Sequence, residues 1–330
     1  MKLFENSVLA AYATLSRPTA EAITDDTQMT LFTAEGLLRA HVRGRMCGLT
    51  THAGVTDHAY LRWLETQGVK AKYGIGHDGW LWGVEALHHR RAPGNTCLSA
   101  LMAKEGFGDA AVNDSKGCGG VMRVAPAGLF AWHFRNGDRG AEQVFDLGAE
   151  LAGLTHGHPS GQWPAGVFAL LVMRALEGIP LREALEEAKR LLRTKDRHQE
   201  TLNALLMAEA LAASGVEPSA AKVETLGAGW VAEEALAISV YCALVARDFE
   251  HGVSLAVNHG GDSDSTGAIT GNLLGAVSGV EAIPGRWVDA VELREEIESI
   301  ADDLFEFPTW RIGEYGGDDN DRIWERYPGW

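Results

Sequence analysis

The chain has 330 residues, of which 46% are hydrophobic and 22% charged. This composition excludes a disordered or fibrous protein and supports a large buried core. Its 45 acidic and 29 basic residues leave a net charge of −16, which argues against general binding to nucleic acid or to an anionic membrane surface. No segment predicts a membrane span or a signal peptide. The four cysteines form no CxxC pair and give no indication of disulfides, so we interpret them as reduced thiols. Reduced thiols are typical of the cytoplasm, so we predict a cytoplasmic protein.

The dominant pattern along the chain is helical, and alternation typical of β-strands is hard to find. Glycine- and proline-rich loops separate the predicted helices without marking a linker, so we predict a mainly α-helical fold in one domain spanning residues 1–330. The helices predicted from apolar spacing are, in chain order, 143–154, 167–176, 181–193, 198–213, 230–246 and 289–304. The aromatic tail, residues 307–330, has no period. We interpret it as a cover over the helical body, with an aromatic substrate wall as the alternative.

The first acidic motif is Thr24-Asp25-Asp26-Thr27, just ahead of a helical pattern. Thr24 is placed as a helix N-cap, and the two carboxylates then occupy the first turn. Acidic residues favour that position for purely structural reasons, since the helix dipole stabilises them there. Metal binding is the functional alternative, and this motif alone does not decide between them.

The second acidic motif is Asp262-Ser263-Asp264-Ser265-Thr266. Its closely spaced oxygen ligands suit Mg²⁺, Mn²⁺ or Ca²⁺. A segment with glycine at 267, 271, 275 and 279 follows, and this spacing predicts one helix with all four glycines on one ridge. Each glycine costs roughly 0.8–1 kcal/mol inside a helix. We therefore expect a tightly packed central helix whose acidic N-terminus lies at a site.

The charges of the two acidic motifs suggest that both motifs belong to one metal centre. Four carboxylates crowded together would raise one another's pKa, and two divalent cations would neutralise them. A centre of that kind holds its ions about 3.5–4 Å apart.

Two further motifs contain residues that could bind an anion or a metal ion. The loop Ser115–Gly119 contains small residues that expose backbone N–H groups to anions, and Lys116 would add a charge. An ordinary glycine-rich turn is the alternative, and a P-loop is excluded because the GK[ST] ending is absent. His156 and His158 lack the sequence context of a zinc site, so a structural turn is the simpler interpretation.

At these residues the sequence resembles the ADP-ribosylglycohydrolase family. The resemblance is carried by TDDT at 24–27 and GDSDSTG at 261–267, and it extends through RAPGNTCLSAL at 91–101, NDSKGCGGVMRVAPAGL at 113–129, LTHGHP at 154–159 and GWVAEEAL at 229–236. It implies an all-α, compact, single-domain orthogonal helical bundle with two Mg²⁺ (or Mn²⁺) ions. It also implies that the substrate is an ADP-ribosylated protein, that the bond to ADP-ribose is hydrolysed, and that ADP-ribose is the product. The GDSDSTG form is most similar to that of the arginine-cleaving members.

The resemblance also implies roles for individual residues. It assigns catalysis to Asp25 and Asp26, with Asp78 as a further carboxylate. Metal ligation would come from Thr24, Asp25, Asp26, Asp262, Asp264 and Ser265. Substrate binding would come from Ser115, Lys116, Gly117, Cys118, Gly119 and His156.

One departure from the family pattern leaves alternatives open. Residues 1–23 lack the usual glycine-rich motif and its following glutamate, although Glu5 and Glu21 are available. A relative that binds ADP-ribose without turnover is therefore the first alternative. The second treats Asp262, Asp264 and Thr266 as the DxDxT motif of a phosphatase, which would need a preceding strand and a Rossmann-like sheet.

Overall fold

The computed structural model describes residues 22–136 and 140–329. Over these residues the chain forms α-helices and short 3-10 turns and no β-strand, which confirms the predicted all-α fold. The α-helices are α1 (Asp25–Cys47), α2 (His52–Thr66), α3 (Asn95–Met102), α4 (Ala125–Trp132), α5 (Gly140–Gly153), α6 (Pro159–Leu176), α7 (Leu181–Leu192), α8 (Gln199–Ala213), α9 (Ala220–Val223), α10 (Ala232–Val245), α11 (Phe249–Val257), α12 (Ser263–Ser278), α13 (Gly285–Ala290), α14 (Arg294–Glu306) and α15 (Asn320–Arg326). The 3-10 turns are Leu81–Gly83, Glu85–Leu87, Cys118–Gly120, Glu224–Leu226, Val280–Ala282 and Phe307–Thr309.

Each predicted segment contains a helix, and the observed helix starts differ most from the prediction at two of them. The ends of α7 and α8 lie within one residue of those predicted. Helix α6 begins at Pro159, well before the predicted residue 167, because proline is accepted in the first turn of a helix. The single helix predicted over 289–304 is wrong at its start. Leu293 adopts a left-handed φ of 62°, which separates α13 from α14.

Helices α1 and α12 place the acidic motifs in the interior. Helix α1 is buried along most of its length and packs against α2, α4 and α14. Helix α12 packs against α6, α10 and α11, and its glycines 267, 271 and 275 are buried. Gly279 has a φ of 81° and ends this helix, so the prediction that the helix runs through all four glycines is wrong at the last one.

The apolar interior is shared by distant parts of the chain. One contiguous cluster of buried apolar side chains extends from Ile23 to Tyr327. This continuity supports the proposal that the chain forms one domain. Over the described ranges, no helix is both long and apolar enough to cross a membrane.

The aromatic tail packs on the helical body. Phe307 stacks on Phe130 with 4.7 Å between ring centroids, and Trp310 stacks on Tyr327 at 5.6 Å. Arg43 donates a hydrogen bond of 3.1 Å to the Gly329 carbonyl. Arg43 lies 17 residues after the last acidic residue of the α1 first turn, which corresponds to roughly 25 Å of helix. The tail therefore covers the body at the other end of α1 and forms no wall beside the acidic motifs.

Candidate active site

Two helix N-termini bring the acidic motifs together. Asp25 and Asp26 occupy the first turn of α1, and Asp264 occupies the first turn of α12. One carboxylate oxygen from each lies within 4.8 Å of the others. Thr24 takes the predicted N-cap position, but its hydroxyl donates to Asp26 Oδ2 at 3.1 Å and makes no capping bond. The positive ends of the two helix dipoles favour negative charge at this point.

Asp262 and Ser265 complete this acidic centre from the α12 side. Asp262 is the N-cap residue of α12, and it shares a hydrogen bond with Asp264. The Cys118 thiol lies 2.7 Å from Asp262 Oδ2 and donates to it. Ser265 is buried, with its hydroxyl 3.6 Å from the Cys118 sulfur. Cys118 thus links the centre to the predicted substrate loop.

Burial raises the pKa of these carboxyl groups. The pKa of Asp25 is raised to about 7 by burial and, to a smaller extent, by Asp264. The pKa of Asp262 is raised to about 7 by burial and by its hydrogen bond with Asp264. Burial and the neighbouring carboxylates raise the pKa of Asp26 well above its usual range. The cluster therefore resists carrying its full negative charge unless cations approach it.

The donor set fits divalent cations. Asp26 Oδ1 is buried and has no hydrogen-bond partner, so a strong acceptor of the acidic centre is left unused. Among residues 22–136 and 140–329, no lysine or arginine forms an ion pair with any of the four aspartates. Crowded carboxylate and hydroxyl oxygens are the ligands preferred by Mg²⁺, Mn²⁺ and Ca²⁺. The acidic centre is therefore chemically suited to hold such ions.

The predicted substrate loop lies beside the centre. Its residue Gly117 forms an isolated antiparallel bridge with Val231. Cys118 N donates to the Trp230 carbonyl at 3.1 Å, which ties the loop to the start of α10. A Cβ on Gly119 would lie 2.8 Å from Cys97 Sγ and 3.2 Å from the His156 ring. Glycine is required at this point because the loop lies directly against buried side chains.

Lys116 is engaged with two carboxylates. Its ammonium lies 2.7 Å from Glu233 Oε1 and 3.1 Å from Glu200 Oε2. The sequence predicts that this charge serves an anion in the loop. In the structure the charge is offset by the two glutamates, so the loop offers anions its backbone N–H groups more than a free cation.

Asp78 is not brought to the acidic centre. Its carboxylate pairs with Arg39 at 2.9 Å, and Arg39 also pairs with the buried Glu35. Arg39 lies 14 residues along α1 from Asp25, which corresponds to roughly 21 Å. Asp78 therefore belongs to an ion-pair network farther along α1. Glu5 and Glu21 lie outside the described residues.

The two histidines of the THGHP motif have separate surroundings. His156 is 1% exposed, and its Nδ1 lies 2.8 Å from the Thr155 hydroxyl. Burial and the nearby Arg123 lower the pKa of His156 to about 3. His158 caps α6 by accepting from Ser160 N at 3.0 Å. The Nδ1 atoms of the two rings therefore have different hydrogen-bond partners.

Three residues that support the loop or His156 were not predicted from the sequence. Arg123 is fully buried beneath the substrate loop, and its only signal is a lone charge in the apolar segment VMRVAP. Thr155 precedes the singled-out His156 and bonds to it. Trp230 is 61% exposed, and its carbonyl holds the substrate loop through Cys118 N.

Fold and site together define an all-α protein with a buried carboxylate centre suited to divalent cations. The phosphatase alternative is wrong, because the described ranges contain no strand and Thr266 is buried inside α12, where it donates to the Ala256 carbonyl.

Comparison with known proteins agrees with this class. The family model for ADP-ribosylglycohydrolase matches residues 4–312. An uncharacterized protein of Archaeoglobus fulgidus is 31% identical over 227 residues, covering 68% of this chain and 70% of that protein. ADP-ribosylarginine hydrolase Tri1 of Pseudomonas putida is 26% identical over 64% of this chain and 53% of its own length. ADP-ribosyl-[dinitrogen reductase] glycohydrolase of Rhodospirillum rubrum is 27% identical over 62% of each chain.

A solved structure described as an ADP-ribosylglycohydrolase-related protein complex matches with a TM-score of 0.65 and 27% identity, covering 92% of this chain and 97% of that one. The chain belongs to the ADP-ribosylglycohydrolase family, a family of hydrolases. The alignments span less than two thirds of the Pseudomonas putida and Rhodospirillum rubrum relatives.

Proposed function

We propose that this protein hydrolyses the N-glycosidic bond between ADP-ribose and a modified arginine side chain of a protein, releasing ADP-ribose. The observation that carries the proposal is the meeting of Asp25, Asp26 and Asp264 within 4.8 Å, in a chain of this family. The arginine linkage is supported by the name of the Pseudomonas putida relative. A cytoplasmic location is supported by the four free cysteines.

Two divalent cations, Mg²⁺ or Mn²⁺, are proposed to occupy the acidic centre. Their ligands would be Thr24, Asp25, Asp26, Asp262, Asp264 and Ser265. When bound, such ions polarise water and orient substrate hydroxyl groups. The unused Asp26 Oδ1 is the feature of the centre that most directly supports this occupancy.

The chain's own residues would serve bond cleavage in two ways. A glycosidic bond breaks through an oxocarbenium-like state, and the negative carboxylates of Asp25 and Asp262 would stabilise that positive charge. Without cations burial raises the pKa of both groups to about 7, and cations at the centre would lower it, so that both carboxylates would keep their negative charge beside the reacting bond. The backbone N–H groups of the loop at 115–119 would bind the diphosphate, while the buried His156 supports the loop from below.

The test is the Asp262→Asn variant with an ADP-ribosylated arginine peptide. The expected result is loss of at least one bound cation and a drop of about 100-fold or more in ADP-ribose release, since one ligand and one charge are removed from the centre. Release is measured by chromatography with Mg²⁺, Mn²⁺ or chelator, bound metal by elemental analysis, and folding by circular dichroism. Asp318→Asn, at an exposed ion pair with Arg311, is the matched control. Undiminished release with fewer bound ions would contradict the proposal.

A second candidate is a protein that binds ADP-ribose without turnover. The sequence of residues 1–23 favours it, because the glycine-rich motif of the family is absent there. Calorimetry would then show ADP-ribose binding, while arginine- and serine-linked substrates stay intact with either cation. Turnover of either substrate contradicts this candidate.

A further inference from the structure

Arg123 is a buried cation with an unusual set of partners. Its guanidinium lies 4.3 Å from the centre of the Tyr60 ring and donates to the Leu151 carbonyl at 3.2 Å. Its shortest polar contact is the bond from Nη2 to Thr155 Oγ1, at 2.6 Å. Over the described ranges, no carboxylate lies within ion-pair distance of Arg123. The Thr155 hydroxyl is therefore the partner to which this guanidinium is most tightly bound.

The direction of the next hydrogen bond follows from donor chemistry. A guanidinium only donates, so Thr155 Oγ1 accepts from Arg123. The hydroxyl has one proton left to donate. Its candidate acceptors are His156 Nδ1 at 2.8 Å, the Ala152 carbonyl at 3.5 Å and the Cys97 thiol. The imidazole nitrogen is at ideal distance, the carbonyl is at the limit of hydrogen bonding, and a thiol sulfur is a weak acceptor.

We infer that Arg123, acting through Thr155, fixes His156 in the tautomer that has its proton on Nε2. Donation from a cation polarises the threonine O–H and strengthens its onward donation to Nδ1. With Nδ1 acting as an acceptor, the only proton of the neutral ring is on Nε2. Arg123 and Thr155 are positioning residues, since they act on the site through His156.

The fixed proton faces the substrate loop. A Cβ on Gly117 would lie 3.4 Å from His156 Nε2, and one on Gly119 would lie 3.5 Å from the same atom. His156 thus presents a neutral N–H donor beneath the loop, suited to an oxygen of the loop backbone or of the diphosphate and ribose that the proposed function places there. This role rests on the proposed function, whereas the tautomer itself does not.

The experiment is long-range ¹H–¹⁵N correlation of the histidine rings in the full-length protein at neutral pH. His156→Gln identifies the His156 signals by their loss. The expected wild-type spectrum shows a pyridine-type nitrogen at Nδ1 and a pyrrole-type nitrogen at Nε2. A pyrrole-type Nδ1 in the wild type overturns the inference directly, whether or not the enzyme turns over.

Thr155→Val and Thr155→Ser test the relay. Valine keeps the branched shape and removes the hydroxyl, so the wild-type pattern at Nδ1 should be lost, whereas serine keeps the hydroxyl and should restore it. ADP-ribose affinity by calorimetry should fall about three- to tenfold in Thr155→Val and stay near the wild-type value in Thr155→Ser. An unchanged tautomer in a folded Thr155→Val protein overturns the inference. Asp262→Asn should lose catalysis and keep the wild-type His156 spectrum. The spectrum therefore tests the tautomer, and the loss of catalysis tests the proposed function.

Discussion

At the scale of single residues, the hydrogen bond from the Cys118 thiol favours loss of the Asp262 proton. Burial raises the pKa of Asp262, and the hydrogen bond from Cys118 is among the contacts that lower it. Burial and the adjacent Asp262 carboxylate raise the pKa of the Cys118 thiol well above its usual range, so the sulfur keeps its proton and remains a donor. The loop at 115–119 thus also influences the protonation of a proposed metal ligand.

Replacing this thiol should change the pH dependence of cation binding. In Cys118→Ala the donor is lost, so the pKa of Asp262 rises further and Mg²⁺ binding requires a higher pH, because a ligand must be deprotonated to bind. Cys118→Ser keeps a donor and should show a smaller shift. The measurement is calorimetric titration with Mg²⁺ from pH 6 to 9, with the exposed Cys47→Ala as control. A midpoint that is unchanged or moves to lower pH contradicts the prediction.

At the scale of elements, α5 and α6 approach each other at glycines. A Cβ on Gly148 would lie 2.6 Å from the Ala165 carbonyl oxygen, and one on Gly166 would lie 2.6 Å from that of Phe145. Neither backbone can move without disturbing the interior helix that it belongs to. This close packing supports the floor of the site, because Thr155 and His156 lie in the short connection between these two helices.

Gly166→Ala should therefore destabilise the protein. The added methyl group overlaps backbone, so we expect the free energy of unfolding to fall by about 1–3 kcal/mol, measured by urea denaturation followed by circular dichroism. Gly285→Ala is the matched control, since a Cβ there meets nothing within 4 Å. Equal stability of the two variants would show that α5 and α6 can separate at no cost.

The same elements show what the sequence can predict. Helices α7 and α8 are predictable because their apolar residues recur at helical spacing, and the acidic motifs stand out because few other residue types bind hard cations. The start of α6 is missed because its two prolines resemble a loop. The pairing of Lys116 with Glu200 and Glu233 joins residues far apart in the chain, so no local pattern indicates it. The same holds for the bond between Cys118 and Asp262.

At the scale of the whole molecule, the acidic centre couples stability to pH and cations. The pKa of Asp25 and of Asp262 is about 7 when folded and about 4 when unfolded. Between these values the folded state binds more protons, so without cations the free energy of unfolding contributed by these groups falls as pH rises from about 4 to 7. Cations at the proposed site would bind the deprotonated carboxylates and offset this loss.

Mg²⁺ should therefore raise the unfolding temperature more at pH 8 than at pH 5. At 100 times its Kd, a ligand adds about 2.7 kcal/mol, which corresponds to a rise of several degrees for a chain of this size. Scanning calorimetry with Mg²⁺ or chelator at both pH values measures the effect, and Asp262→Asn should reduce it. A rise that is equal at both pH values, or larger at pH 5, would mean that the cation binds elsewhere.

Two contacts join segments that are synthesised far apart in time. Arg43 contacts Gly329, and Asp26 meets Asp264. A ribosome adds about 5–20 residues per second, so α1 emerges roughly 10–50 s before the start of α12. Contacts between such distant segments form late, because the intervening chain must first be ordered. Until α12 emerges, a nascent chain therefore has only the α1 half of the acidic centre and none of its tail cover. The two acidic motifs can therefore meet only after α12 has been synthesised.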